Sequence, residues 1–418
     1  MTSIPSPRYV LCLIIMLISS CSPRTEESSH SFRVFEENGI SVAETRGGPL
    51  FEGEIFRYEA ILTLDPDPSV PESYLNRVGA AVIDKHGYFY VCERSGRRIA
   101  VFDPSGAYVR SFGRRGSGPG EFQSIALIGW SDHELILFDS MLRRVTQYST
   151  EGILSDIYTL SSVSGVRRFY PTGENRFVVF DTRSEYRGTD SWMAMMSLVL
   201  GSEGDTISIQ QPSLQPHQRS IRGEVEVGFS WYFSAYSRFF YQPGRGLLVS
   251  DAESPDLEWF TLSGELTSRI DVGLPRRPVT AREKNTIRDY YDSRIASTRG
   301  QQQLSMKAVR DNLAFGEFVP YWVNIMTDDV GYYWLEIYET YQQKQAAGGT
   351  AFRVLSNRGE YLGDTRWPAQ IPPSSFIEYP VITRGCLVAM VTDPETEEQI
   401  LTVFRIVPQA EGLRYPRS

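Results

Sequence analysis

Residues 79–113 read GAAVIDKHGYFYVCERSGRRIAVFDPSGAYVRSFG, and residues 125–160 read IALIGWSDHELILFDSMLRRVTQYSTEGILSDIYTL. Sliding the first over the second by 46 positions lays Val91 on Leu137, Arg98 on Arg144 and Ile99 on Val145. The same shift lays Phe102 on Tyr148 and Gly106 on Gly152. Each unit holds four short apolar runs divided by turn residues, Lys-His-Gly, Arg-Ser-Gly and Pro-Ser-Gly in the first. Runs of that length between such turns are strands of an antiparallel meander. A four-stranded unit recurring every 40–50 residues or so predicts the blades of a β-propeller.

Fainter copies follow. Arg176–Asp181 and Ser197–Gly204 mark a third unit, Gly246–Asp251 with Leu257–Gly264 a fourth, and Gly331–Glu336 with Phe352–Gly359 a fifth. Gly385–Val391 with Ile400–Ile406 marks a sixth, and Ile55–Leu64, ahead of the first unit, is the candidate to close the ring as the outer strand of blade six. The expectation is an all-β, six-bladed β-propeller of four-stranded antiparallel blades over residues 54–410, followed by a tail at 411–418. Two segments fall outside the pattern. Residues 31–50 place Phe32–Glu36 and Ile40–Ala43 around Asn38-Gly39, a hairpin signal, read as an extra ribbon or as part of a tether spanning 22–53. Residues 278–318, between blades four and five, read as a short helical insertion. Thr280 and Glu283 form a capping-box pattern ahead of Ile287, Tyr291 and Ile295, and Leu304, Val309 and Leu313 suggest a second helix.

The N-terminus is a targeting segment. Arg8 precedes a nine-residue apolar run, Val10–Ile18, too short to span a bilayer, which takes roughly 20 residues. It ends in Ile18-Ser19-Ser20-Cys21, which resembles the bacterial lipobox. That resemblance implies cleavage of residues 1–21 as a lipoprotein signal peptide, lipid on Cys21, and a membrane anchored through acyl chains. Ser22 in place of aspartate points, by analogy with enteric sorting, to the outer membrane of a bacterial cell envelope. Cys92 and Cys386 then remain, nearly 300 residues apart and in apolar runs, and read as buried free thiols rather than a bridge.

The pattern DxxGxxYVxExxxxRIxVFDxxGxxxxxFGxxGxGPGEF in residues 84–122 resembles the NHL-type repeats of bacterial six-bladed β-propeller lipoproteins. The match is specific over residues 79–160 and only patterned elsewhere, and Glu93 stands where the repeat usually carries Asp. The resemblance implies fold and export. It leaves activity open, because such propellers include scaffolds, ligand binders, lyases and lactonases.

With strands A to D running from channel to rim, B–C turns and D–A connectors share one face. Glu93, Asp139, Asp181, Asp251 and Glu336 each end a B strand there, with Arg94, Arg97, Arg143 and Arg183 nearby. The glycine-rich connector FGRRGSGPGEF, residues 112–122, brings Arg114 and Arg115 to the same face. Its spacing fits neither GxxxxGK[ST] nor GxGxxG, so it reads as a corner ending in Phe122 at the blade interface. One reading has the acids converge on a divalent cation or polar ligand. The other has each acid hydrogen-bond its own turn and pair with the repeat's arginine, as Asp139 with Arg143 or Arg144, and recurrence favours it. Arg98 and Arg144, just before their C strands, read as structural. The candidate ligand-binding set is Glu93, Arg94, Arg114, Arg115, Asp139, Arg143, Asp181, Arg183 and Asp251.

Only four histidines exist: His30 in the tether, His86 and His133 on the opposite face, and His217 before blade four. A His-rich zinc site is excluded, whereas a metal site of carboxylates and amides stays open. No GxSxG or HExxH motif occurs. The run 223–244 is rich in aromatics (Phe229, Trp231, Tyr232, Phe233, Tyr236, Phe239, Phe240, Tyr241) and reads first as interblade packing, second as a stacking platform. With 51 Asp and Glu against 42 Lys and Arg, a net charge of −9 argues against a nucleic-acid partner. The first functional expectation is a lipid-anchored extracytoplasmic scaffold or binding module with a protein or carbohydrate partner and no catalytic residues or cofactor. The second is a divalent-metal-dependent hydrolase or lyase, lactonase-like or polysaccharide-directed, at the channel mouth.

Overall fold

The structure, a computed structural model, describes residues 30–64, 69–75, 78–93, 97–131, 134–160, 166, 168–173, 176–200, 206–212, 218–222, 224–235, 237–371, 380–392 and 399–415. The signal segment with Cys21, and Arg94, His133, His217 and Tyr236, lie outside these residues.

Six antiparallel sheets follow one another along the chain. Blade one comprises Val78–Ile83, Phe89–Glu93, Arg98–Phe102 and Tyr108–Phe112. Blade two comprises Ile125–Ser131, Glu134–Asp139, Arg144–Ser149 and Leu154–Thr159. Blade three comprises Arg168–Gly173, Arg176–Arg187, Asp190–Leu200 and Thr206–Pro212, and blade four Arg238–Gln242, Gly246–Ser250, Asp256–Phe260 and Leu266–Asp271. Blade five is Asn324–Thr327, Tyr333–Glu336, Ala351–Leu355 and Tyr361–Arg366. Blade six is Val381–Thr383, Cys386–Thr392 and Gln399–Pro408, completed by Phe56–Thr63 from the other end of the chain.

The strands are apolar almost without interruption because both faces of each blade are buried. In blade two's second strand, Leu135 and Leu137 enter a core shared with Tyr90, Cys92 and Ile99 of blade one. Their neighbours Ile136 and Phe138 point the other way, into a core with Phe169, Phe177 and Val179 of blade three. This is the twofold alternation of a pleated strand. Among the described residues there are six such cores, one for each pair of neighbouring blades, and the sixth joins blade six to blade one. The ring is therefore closed by apolar burial as well as by the strand Phe56–Thr63. Turn geometry repeats with the blade. Gly106 and Gly152, 46 apart, both take positive φ (86° and 82°) in C–D turns. A side chain at Gly152 would lie 2.7 Å from the Phe112 ring of the preceding blade, so glycine serves both backbone and packing there.

The start of the closing strand is held by segments from both ends of the chain. Leu50, Phe51 and Ile55 donate backbone hydrogen bonds to Tyr361, Leu362 and Asp364 of blade five (3.0, 2.8 and 3.0 Å). The segment after residue 410, read as a tail, is anchored too: Tyr415 buries its ring against Phe56 and Trp334 and donates to Asp328 at 2.6 Å.

The N-terminal ribbon is a hairpin of Ser31–Glu37 and Ile40–Arg46, with Asn38 and Gly39 at φ 50° and 81° as the two-residue turn requires. It widens blade four to six strands, its second strand running parallel to Leu266–Asp271. His30, expected in a loose tether, sits with Nδ1 3.0 Å from the Gly48 carbonyl and Nε2 3.2 Å from a Glu360 carboxylate oxygen.

The insertion between blades four and five holds two helices, α1 (Ala281–Ser297) and α2 (Gly300–Asp311). The Thr280–Glu283 capping box starts α1, as the sequence predicts. A third helix, α3 (Tyr341–Ala347), lies in the B–C turn of blade five and escapes the sequence reading. Among the described residues no helix is long and apolar enough to cross a membrane. Cys92 and Cys386 are free thiols, the first buried and the second half-buried.

Candidate functional site

The turn acids are engaged by their own blades. Asp139 is fully buried and accepts four backbone N–H bonds. Oδ2 takes Gln123 and Ser124 (2.6 and 3.1 Å), and Oδ1 takes Met141 and Leu142 (both 2.9 Å). Asp251 accepts from the N–H groups of Glu253 and Ser254 (2.9 and 3.0 Å). Glu93, also buried, takes Nε of Arg98 at 2.6 Å, and Glu336 takes Nζ of Lys344 from α3 at 2.6 Å. Asp181 is fully buried inside blade three's second strand. The backbone of Arg183 lies further along that strand, and its side chain falls outside the description. Among the described residues no three His, Cys, Asp or Glu side chains are grouped so as to hold a metal ion.

The arginines split by position in the repeat. Arg97 and Arg143 occupy matching B–C turn positions at φ 51° and 49°, and Arg143 is exposed. Arg98 reaches the Glu72 and Tyr74 carbonyls (both 2.8 Å) beyond its bond to Glu93. Arg144 does not pair with Asp139. Its guanidinium turns into the glycine-rich connector and donates to the carbonyls of Ser117 (3.1 Å), Gly118 (3.2 Å) and Glu121. That connector is therefore the reverse of a phosphate cradle, because carbonyls rather than amides converge and a cation of the same chain fills them. Glu121 closes the loop by accepting from Gly118 N–H (2.9 Å) and Arg114 (3.0 Å), which together hold its carboxyl below the usual range. Arg114 is 80 % exposed and Arg115 is exposed beside it, while Phe122 is fully buried between blades one and two.

Apart from the N-terminal ribbon at the outer edge of blade four, the main departures from sixfold regularity among the described residues gather on this same face, over blades three to five. Blade three's middle strands run on as a long hairpin to Arg187 and Asp190. A second hairpin, Gln218–Ile221 with Val227–Ser230, pairs with it. Asp190 joins the pieces. It receives a two-pronged bond from Arg219 (2.6 and 2.8 Å), whose guanidinium lies over the Trp231 ring, and a third from Trp231 Nε1 (3.3 Å). Arg219 holds the Asp190 carboxyl below its ordinary value. The helical insertion is tied to this edge. Arg219 donates to the Asn312 carbonyl (3.4 Å), and Tyr232 exchanges backbone bonds with Ala314 and Gly316 (3.0 and 2.8 Å). Phe233 N–H donates to the Tyr338 hydroxyl (3.1 Å). Of the aromatic run before blade four, Phe239 and Tyr241 pack into the core between blades three and four. Trp231, Tyr232 and Phe233 instead build the raised rim.

Inside the ring, a cavity of about 290 Å³ occupies the channel. It is lined from the first strands of blades two to six and by Pro380 just ahead of blade six: Ile128, then Arg168 to Tyr170, Phe240, Met326 and Val381 among them. Arg168 donates to Asn324 Oδ1 at 3.0 Å, and Arg238 donates Nε to the Val323 carbonyl at 2.6 Å. Both bonds tie a first strand to blade five at the connector end of the channel. Sequence reasoning missed these residues. The available signal was the recurrence of Arg-Phe-Tyr at 168–170 and Arg-Phe-Phe-Tyr at 238–241, each opening a first strand.

The family model described as a 6-bladed beta-propeller (DUF5128) matches residues 75–236, which span blades one to three and the connector into blade four. The chain is a six-bladed β-propeller. No curated protein matches it. Among solved structures it is similar to a Bacteroides fragilis protein described as exported, at 12% identity and TM-score 0.48 over 88% of this chain and 99% of that one. It is also similar to a duf4221-family member from Bacteroides vulgatus, at 11% identity and TM-score 0.46 over 86% and 100% of the two chains. A catalytically inactive virginiamycin B lyase from Staphylococcus aureus, with quinupristin, aligns at 10% identity and TM-score 0.39 over 84% and 100%.

Proposed function

We propose that this propeller is an extracytoplasmic, lipid-anchored binding module whose partner docks on the raised face over blades three to five. One observation carries the reading. Asp139, Asp251, Glu93 and Glu336 on that face are occupied within their own turns or by a neighbouring basic side chain, whereas the long blade-three hairpin, the hairpin that pairs with it and the helical insertion are added to it and joined through Asp190, Arg219 and Tyr232. A structural device repeats with the blade, and a partner surface breaks the symmetry. Arg114 and Arg115 belong to this reading as exposed cations on the same face, at the junction of blades one and two, suited to an acidic protein or carbohydrate partner.

The anchor rests on the sequence alone, on Ile18-Ser19-Ser20-Cys21 and the polar residues after it. Crosslinking in the native envelope tests the docking face. The wild-type chain is expected to give a discrete partner adduct. Arg114→Glu with Tyr290→Ala, both at exposed positions, is expected to lose it at unchanged thermal stability. An adduct that survives the pair of substitutions places the partner elsewhere. Palmitate labelling that is lost in Cys21→Ser tests the anchor. Metal bound one-to-one by purified residues 22–418, and lost in Asp139→Ala with Asp251→Ala, would replace the binding module with a metal-dependent hydrolase or lyase.

A further inference from the structure

We propose that the channel is a second, separate binding site, for a small organic acid with an apolar body. The cavity of about 290 Å³ has room for about ten water volumes. That places it at the small end of ligand sites, suited to a molecule of about ten to fifteen non-hydrogen atoms. Its wall is mainly apolar along five blades: Ile128 from blade two, Phe169 and Tyr170 from blade three, Phe240 from blade four, Met326 from blade five and Val381 from blade six. The Tyr170 and Phe240 rings meet edge to face at 5.5 Å and so present one flat face and one edge to an occupant.

Arg168 is the one charged residue among the described residues that line the cavity. It opens blade three's first strand, and its partner Asn324 opens blade five's, so the guanidinium sits at the connector end of the channel. The bond to Asn324 bridges two blades that are not neighbours and fixes the guanidinium in place. The guanidinium also donates to the Tyr170 hydroxyl (3.4 Å) and the Ile325 carbonyl (3.5 Å), both long bonds, and a cation set at one end of an apolar chamber favours a carboxylate over an amine or a neutral group. The low dielectric of such a chamber strengthens that preference. An occupant would set its acid group against Arg168 and its body along Phe240, Met326 and Val381.

The test is calorimetric titration of residues 22–418, which hold every described element, with indole-3-acetate, octanoate, tryptamine and 3-methylindole. Either acid is expected to bind one-to-one, at least tenfold tighter than tryptamine. Arg168→Gln should weaken the acids at least tenfold and leave 3-methylindole unchanged, a split that a merely structural arginine would not give. Val381→Trp, which fills the chamber from the blade-six wall, should abolish binding of all four at an unchanged thermal midpoint. Absence of binding by both acids at millimolar concentration overturns the proposal. So does tryptamine binding as tightly as the acids, or binding that survives Val381→Trp.

Discussion

Asp139 separates a structural from a ligand-binding reading of the turn acids. Its two oxygens each accept two backbone N–H groups, and the four donors come from both sides of a blade junction, Gln123 and Ser124 on one and Met141 and Leu142 on the other. Replacement by asparagine keeps one acceptor and turns an NH₂ group onto two N–H donors. Each buried donor left without a partner costs about 1–3 kcal/mol, so Asp139→Asn should destabilise the ring by about 3–4 kcal/mol. Asp139→Ala frees all four, with Met141 and Leu142 nearer to solvent, and should cost about 4–6 kcal/mol. The matched control is Asp251→Asn. There the turn N–H bonds fall on a single oxygen, which the amide retains, so the loss should be about 1 kcal/mol or less. The assay is the urea midpoint followed by tryptophan fluorescence, at unchanged slope. A midpoint for Asp139→Asn within about 0.5 kcal/mol of wild type would refute the argument, because that is the range of an ordinary surface substitution.

Arg144→Lys replaces a fork that reaches three carbonyls with a point charge that cannot, so the glycine-rich connector should loosen. Trypsin should then cut after Arg114 and Arg115 several-fold faster, and an unchanged rate counts against the cradle. Burial pushes the Glu283 carboxyl up, but bonds from Arg277 and Thr280 prevail and hold it at about 2. A carboxyl lowered in the folded state stabilises above its unfolded pKa of about 4.5, and that stabilisation is lost as pH falls toward 2. Glu283→Gln should therefore speed amide exchange in the first turn of α1 at pH 5 and above, with the difference closing between pH 4.5 and 2. Deleting residues 30–46 removes only the ribbon outside blade four, and the chain should keep its wild-type elution volume on size exclusion with a modestly lower midpoint. Deleting through residue 64 takes the closing strand with buried Ile55 and Phe56, and should yield aggregate on size exclusion.

The fold was legible because propeller blades make their constraints local. A strand buried on both faces must be apolar at consecutive positions, as Leu135 to Phe138 are, and the turns between strands must hold glycine where φ is positive, as at Gly106 and Gly152. Both requirements write themselves into the sequence at a fixed spacing. The closing strand was legible for the related reason that blade six lacked a fourth run. Helix α3 was not: seven residues inside a turn carry too little periodicity, and its one signal, Thr340 ahead of Gln343, is a capping box without a following apolar stripe. The docking of Tyr415 was also silent, since a lone aromatic near a terminus has no pattern to belong to.

The candidate sites were hidden for a different reason. Acids at the end of B strands stand out in the sequence because they recur, and they recur because each blade needs a buried acceptor or ion pair at its turn, as Asp139 and Glu93 supply. Recurrence thus marks the residues most fully committed to structure. The channel wall takes no more than three consecutive residues from any one blade, from Ile128 to Ile382, so no stretch of sequence contains it. The rim is likewise assembled from three separate insertions that meet at Asp190, Arg219 and Tyr232. In a ring of repeated units, specificity has to be sought where one blade differs from the next. Arg168 and Arg238 illustrate this: two arginines in matching first-strand positions both reach blade five, yet only Arg168 lines the cavity. If the channel holds an acid, that single break in equivalence is what selects it, and Arg238→Gln should leave acid binding intact where Arg168→Gln removes it.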